Sequence, residues 1–215
     1  MRDLFESIES GDLPKVKVLV TGDKSLLQTI GEYGESPLMH AISVMDRDFA
    51  IIEFLVQSGA DVNFATDEGY TALHCNIDLN GPSGSGEMPY RVARLLKSRG
   101  ANLEARNHYG WTPLMRAGLE GTGDEFKALL EVGADFNVIY PDFSMPAFTR
   151  GKPLVNIVIP TPTKVKMLIR AGLKPTPAII DEANRLVAGT KDKESNFYRG
   201  TKESIQLLKA ELNAA

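Results

Sequence analysis

Gly110-Trp111-Thr112-Pro113-Leu114-Met115-Arg116-Ala117, followed by Leu129-Leu130-Glu131-Val132-Gly133-Ala134-Asp135-Phe136-Asn137, decides how this chain folds, because both phrases occur three times in the same order. The first also stands as Gly34-Glu35-Ser36-Pro37-Leu38-Met39-His40-Ala41 and as Gly69-Tyr70-Thr71-Ala72-Leu73-His74-Cys75-Asn76. The second also stands as Leu55-Val56-Gln57-Ser58-Gly59-Ala60-Asp61-Val62-Asn63 and as Leu96-Lys97-Ser98-Arg99-Gly100-Ala101-Asn102-Leu103-Glu104. Each position has a physical reason. A Ser or Thr ahead of Pro37 and Pro113 is an N-cap, and the proline sits at the first helical position, where a missing N–H costs nothing. The Leu and Ala that follow share one helix face, and the small Ala lets a neighbouring copy approach. Gly59, Gly100 and Gly133 each follow an apolar pair and can take the left-handed conformation that ends a second helix. The Ala-Asp-x-Asn pattern then turns the chain toward the next copy.

These phrases resemble the ankyrin repeat, whose period is 33 residues and whose signature is T-P-L-H-x-A. The resemblance is strong over residues 31–137 and implies an all-α ankyrin-repeat solenoid of helix-turn-helix units with β-hairpin-like turns. Both flanks read as weaker copies, giving about six units including degenerate caps. A single domain over 1–215 is expected, with an N-terminal cap at 3–30 and full repeats at 31–63, 64–104 and 105–137. A degenerate repeat at 138–174 and a C-terminal cap at 175–215 complete it. Lys152-Pro153-Leu154-Val155-Asn156 has lost the capping hydroxyl, which predicts a short or irregular first helix there. Pro177 to Ala188 and Thr201 to Leu212 read as closing helices, the first capped by Thr176.

The spacing departs from the ideal in three places. Gly34 to Gly69 is 35 residues and Gly69 to Gly110 is 41, the excess falling in the Gly- and Ser-rich segment 80–87. That composition cannot continue a helix and reads as a loop. Residues 140–148 (Tyr140-Pro141-Asp142-Phe143-Ser144-Met145-Pro146-Ala147-Phe148) stand where a hairpin is expected. Their apolar side chains are either packed on the stack, the favoured reading, or exposed as an anchor. Residues 189–196 separate the last two helices.

Composition narrows the function. One cysteine, Cys75, rules out an intramolecular disulfide framework and a multi-cysteine zinc site, and three histidines leave little for a His-rich metal centre. Acids stand near Met1 where a signal peptide needs an apolar run, and no apolar stretch has membrane-spanning length, so a cytoplasmic protein without a membrane role is expected. The net charge of −4 hides an asymmetry. Residues 1–140 hold 21 acids and 12 bases, whereas residues 141–215 hold 7 acids and 12 bases. Nucleic acid is not an expected partner, since a polyanion binder carries a stronger basic excess.

Catalytic machinery is not legible. Gly81-x-x-Gly84-x-Gly86 lacks the flanking strand and Lys-Ser/Thr tail of a phosphate loop. His74 and Cys75 are adjacent on a helix and point about a hundred degrees apart, which does not suit a nucleophile and base. The resemblance gives His74 the signature position, a structural hydrogen-bonding role, and leaves His40 one place beyond it. Asp67-Glu68, Asp124-Glu125 and Asp181-Glu182 fall in turns or helix starts, where they favour the helix dipole or face water. No enzyme activity, metal or cofactor is expected.

What remains is surface. The resemblance implies binding through the hairpin tips and the exposed face of the first helices. Carried over position by position, that strip contains Glu32, Tyr33, Glu35 and Ser43, then Asp67, Glu68, Tyr70 and Asp78, then His108, Tyr109, Trp111 and Glu120. Aromatics dominate binding energy and charged rims speed encounter, which implies a protein partner with a basic and apolar epitope. The alternative for Trp111 is burial against the next hairpin. Residues Leu55 to Asn63 resemble the site at which an asparaginyl hydroxylase modifies ankyrin repeats in animals; the other role for Asn63 is a turn hydrogen bond. The expected function is a non-catalytic protein-protein interaction module acting as adaptor, inhibitor or immunity-type neutraliser. Rival readings are a structural scaffold or self-assembling subunit using 140–148, and an enzyme whose site is built by the loops at 80–87 and 189–196.

Overall fold

The computed structural model describes residues 2–77 and 86–214, so Asp78 and residues 80–85 lie outside the described residues. The described residues form six helix pairs. They are α1 (Arg2–Glu9) with α2 (Leu13–Gly22), α3 (Pro37–Ser43) with α4 (Phe49–Gln57), and α5 (Ala72–Cys75) with α6 (Met88–Ser98). Then come α7 (Pro113–Leu119) with α8 (Gly123–Glu131), α9 (Leu154–Val158) with α10 (Pro162–Arg170), and α11 (Pro177–Gly189) with α12 (Asn196–Ala214). The odd-numbered helices pack in sequence, α1 on α3, α3 on α5 and so on to α11, and the even-numbered ones do the same from α2 to α12. The result is an all-α solenoid of two parallel rows. Its turns carry only isolated bridges among the described residues, Ala65 with Thr71 and Ile139 with Pro153.

Local chemistry sets where each helix begins. Ser36 accepts from the Met39 amide at 3.3 Å and Thr112 from the Met115 amide at 3.2 Å, as the N-cap pattern predicts. Helix α9 starts from Pro153 with no side-chain cap and runs only from Leu154 to Val158, the short helix that the missing hydroxyl predicts. Thr176 is a correction, for its side chain makes no cap bond and α11 begins at Pro177 without it. Helix α12 also begins earlier than expected, at Asn196 rather than Thr201. Ser195 accepts from the Tyr198 amide at 3.3 Å and starts it.

The turns that close the second helices use glycine for its conformation rather than its size. Gly59, Gly100, Gly133 and Gly172 have φ of 102°, 82°, 93° and 103°, and a Cβ would meet nothing within 4 Å at any of them. Beyond these turns, side chains stitch one unit to the next. Asn63 donates to the Gly100 carbonyl at 3.0 Å and accepts from the Asn102 amide at 2.8 Å. Glu104 takes over one stage later, accepting from the Asp135 amide at 2.8 Å. Asn63 therefore has the turn role, extended across a repeat boundary.

One continuous core runs from Leu4 through Leu55, Leu96, Phe126 and Leu168 to Leu208, with a small satellite of Ile159, Ala183 and Ile205 under α12. The 140–148 segment divides between its two readings. Tyr140 is fully buried and donates its hydroxyl to the Met115 carbonyl at 2.7 Å, whereas Phe143, Met145 and Phe148 are exposed. The same hairpin is closed at its base by Tyr140, whose amide donates to Lys152 and whose carbonyl accepts from Gly151, both at 2.9 Å.

A buried cation fastens the rear of the stack. Lys164, on α10, donates from Nζ to the carbonyls of Ala117, Gly118 and Gly121 at 2.8, 3.0 and 2.8 Å. These groups lie at the end of α7 and in the turn after it, where helical carbonyls run short of internal partners, although Ala117 also accepts from the Gly121 amide at 3.1 Å. Burial brings the ammonium down to about 8, opposed by the carboxylate of Glu125. Nothing in the sequence marks Lys164 off from the surface lysines around it. Replacing it removes the donor to the Gly118 and Gly121 carbonyls, while the Ala117 carbonyl keeps the Gly121 amide, so Lys164→Met is expected to cost about 2–4 kcal/mol in urea denaturation. Lys166→Met removes an exposed pair with Glu203 (3.0 Å) and is expected to cost less than about 1 kcal/mol.

Candidate functional site

The hairpins and first helices bring most of the expected strip together. Tyr33 stands out at 84% exposure, at the tip of the hairpin before α3. Glu35 beneath it is mostly covered, because one carboxylate oxygen accepts from the Tyr33 amide at 2.8 Å and the other lies 3.2 Å from His40 Nδ1. On its other side the His40 ring has Nε2 3.2 Å from a Glu9 carboxylate oxygen and meets the Phe5 ring edge-on at 5.0 Å. His40 thus joins the first hairpin to α1, a role its place one beyond the signature histidine did not announce. Two grooves of about 370 Å³ share Tyr33, Glu35 and His40. One lies against α1 and includes Phe5, Glu6, Glu9 and Glu32. The other runs toward the second hairpin, with Ser43, Glu68, Tyr70 and Cys75 in its walls. Burial pushes the Cys75 thiol up, which makes it a poor nucleophile at neutral pH.

Further along, the strip becomes a row of rings. Tyr70 lies 5.8 Å from His108, His108 lies 3.7 Å from Tyr109, and Tyr109 lies 5.2 Å from Trp111. The hairpins are also bonded directly, the His108 amide donating to the Glu68 carbonyl at 2.7 Å. Asp67 and Glu68 stay exposed at the second tip. Glu120, at the end of α7, pairs with Arg116 at 3.1 Å. Arg116 itself went unremarked in the sequence. Its guanidinium sits 5.5 Å over the Tyr70 ring and donates to the His74 carbonyl, placing one positive group among the acids.

Trp111 is a correction. It is only 3% exposed, and its indole N–H donates to Ser144 Oγ at 2.6 Å. The ring therefore seats the following hairpin and is not available to a partner. The signal existed in the apolar 140–148 segment, which needed something to pack on.

His74 shows why the signature residue is structural. The Thr71 amide donates to Nδ1 at 3.2 Å, which leaves the ring proton on Nε2 to bond the Trp111 carbonyl at 2.9 Å. The ring is fully buried, and desolvation brings its pKa down to about 4, against the opposing Trp111 hydrogen bond and with a smaller push from Arg116. In the next unit Met115 holds the equivalent place, its sulfur 3.4 Å from the Thr112 amide. Among the described residues no group of three or more His, Cys, Asp or Glu side chains could hold a metal ion, and no helix is long and apolar enough to cross a membrane.

A stack of helix pairs joined by hairpins, with an exposed first-helix strip, defines the class as a helical-repeat solenoid. Residues 4–85 match the family model of ankyrin repeats in three copies. The chain is 27% identical over 156 residues to an ankyrin repeat protein of Rickettsia bellii, covering 73% of this chain and 43% of that protein. It is 40% identical over 91 residues to ankyrin repeat protein nuc-2 of Neurospora crassa, covering 42% of this chain and 8% of that protein. A Rickettsia felis ankyrin repeat protein is 38% identical over 82 residues, covering 38% of this chain and 34% of its own length. The matched part is thus less than half the length of each of these relatives. Residues 4–85 are thus similar to ankyrin repeats, a family that generally mediates protein-protein interaction, and the helix pairs that follow continue the same stack.

The buried His74 gives a pH signature with a definite sign. Its folded pKa lies below the unfolded value of about 6.5, so the unfolded chain binds the extra proton between about pH 6.5 and pH 4. The stability from the neutral ring is present above pH 6.5 and lost as pH falls toward 4, at most about 3 kcal/mol. His74→Met is expected to lower stability at pH 7 by about 1–2 kcal/mol through the lost bond to Trp111. The gap between wild type and variant, measured by chemical denaturation, should then close on acidification. A gap independent of pH excludes this role for His74.

Proposed function

We propose that the chain acts by occupying a partner protein through the strip of hairpin tips and first helices. The observation that carries this is the row Tyr70, His108 and Tyr109, held at ring separations of 5.8 and 3.7 Å, with Tyr70 and Glu68 in the wall of the groove that leads back to Tyr33. Rings fixed by their neighbours lose little freedom on binding, so their contact area converts to affinity efficiently. Asp67 and Glu68 face solvent beside these rings, and Glu6, Glu9 and Glu32 extend the acidic face toward α1, which fits a target with a basic and apolar epitope. Such a module serves as an adaptor, an inhibitor or an immunity-type neutraliser, with a basic toxin or nucleic-acid enzyme as a fitting target. Reduced Cys75 is consistent with work in the cytoplasm.

Affinity capture from native lysate identifies the partner, and two variants then test the strip. Tyr70→Ala with Tyr109→Ala is expected to weaken binding at least about tenfold while the double variant stays folded. Trp111→Ala is expected to lower stability by about 3 kcal/mol or more, because it empties a buried site and removes the indole bond to Ser144. Unchanged affinity in a folded Tyr70/Tyr109 double variant removes this strip from the interface.

A further inference from the structure

The strip leaves unexplained an apolar patch at the other end of the molecule. Phe143, Met145 and Phe148 are 65%, 49% and 59% exposed on the hairpin before α9. Phe148 also borders a cleft of about 290 Å³ between that hairpin and α9, α11 and α12, with Leu186 and the exposed Phe197 opposite. The hairpin that carries them is firmly held. Ser144 accepts from Trp111 at 2.6 Å and from the Thr149 hydroxyl at 2.9 Å, and its carbonyl accepts from Arg150 Nε at 2.9 Å. Three large apolar groups on a frame already ordered are arranged to bind at low entropic cost.

Charge decides what can cover them. Residues 141–215 carry 12 bases against 7 acids, and the Arg150 guanidinium is held by two neutral acceptors, the Ser144 carbonyl and the Met145 sulfur. Two such ends meeting face to face would oppose like charges. The front groove offers the complement, for Ile30 and Tyr33 are exposed there beside Phe5, with Glu9 and Glu32 around them and Glu6 paired with Arg2 at 3.2 Å. Front and rear also lie at opposite ends of the row from α1 to α11, so one molecule cannot satisfy itself.

We propose that the rear patch docks on the front groove of a second copy of the chain. Phe143, Met145 and Phe148 meet Phe5, Ile30 and Tyr33, while Arg150 faces Glu9 and Glu32; Lys152 and Glu6 keep their own-chain partners Glu182 and Arg2. The contact is heterologous. Every copy in it keeps a free front or a free rear, so association continues into chains or closes into a ring. The front groove shares Tyr33 with the strip, and Phe143 lies beside Gly110 of the hairpin before α7, but the two readings are tested by different residues: Tyr70 and Tyr109 for the strip, Glu32, Tyr33, Phe143 and Phe148 for this contact.

Sedimentation velocity of the full chain tests it. At low salt the mean mass is expected to rise with concentration beyond that of a dimer, and to fall back toward the monomer at high salt as the opposite charges are screened. Two double variants at exposed positions give the decisive reading, Phe143→Ser with Phe148→Ser at the rear and Glu32→Arg with Tyr33→Arg at the front. Each alone is expected to be a folded monomer, and an equimolar mixture should form a one-to-one complex and nothing larger. The rear of the front variant then meets the front of the rear variant, and both remaining ends are broken. A wild-type chain monomeric throughout overturns the proposal. So does a dimer strengthened by salt that stops at two copies, which would mean rear-to-rear pairing, and so does a mixture that stays monomeric.

Discussion

None of the six helix pairs covers its own apolar side chains, and this shortage makes the molecule one object. The extreme case is α5, which runs only from Ala72 to Cys75. Four residues cannot hold a helix in water, since nucleation costs more than so few bonds return. It persists because Leu73 and His74 are buried between α3 and α7, with the His74 ring bonded onward to the Trp111 carbonyl. The same dependence recurs where Tyr140 bonds the Met115 carbonyl and Lys164 closes the end of α7. Each unit thus completes the one before it, and stability resides in the boundaries as much as in the units.

How much of this was written in the sequence follows from the range over which each residue acts. The repeat phrases are local, and local rules read them correctly: the caps at Ser36 and Thr112, the left-handed glycines and the short uncapped α9. Errors arise where a distant residue decides. Thr176 had the right neighbour in Pro177 but no cap bond, and α12 begins at Asn196 rather than at Thr201, running through Gly200. A Cβ at Gly200 would lie well inside contact distance of the Pro160 carbonyl, so this glycine serves close packing rather than helix ending. Trp111 stands in the expected strip with burial as its alternative, and what decides for burial is Ser144, a residue of the next hairpin that no periodicity connects to it.

The candidate strip divides along the same line. Tyr33, Glu68, Tyr70, His108 and Tyr109 stand on or beside the strip, since their positions follow from the hairpin register. The parts missed come from outside that register. His40 contributes by bridging to Glu9 on α1, and Arg116 by lying over Tyr70 from the following unit. Together they turn a list of exposed positions into a surface with defined charge and fixed rings, acidic toward α1 and aromatic toward α7.

The indole of Trp111 has one more consequence. It is the single tryptophan of the chain, enclosed at the seam between the fourth and fifth units, with its N–H held by Ser144. Its emission colour is therefore a native optical gauge of that seam. Light absorbed at one buried ring reports whether the rear hairpin is seated, with no label attached and no background from a second indole.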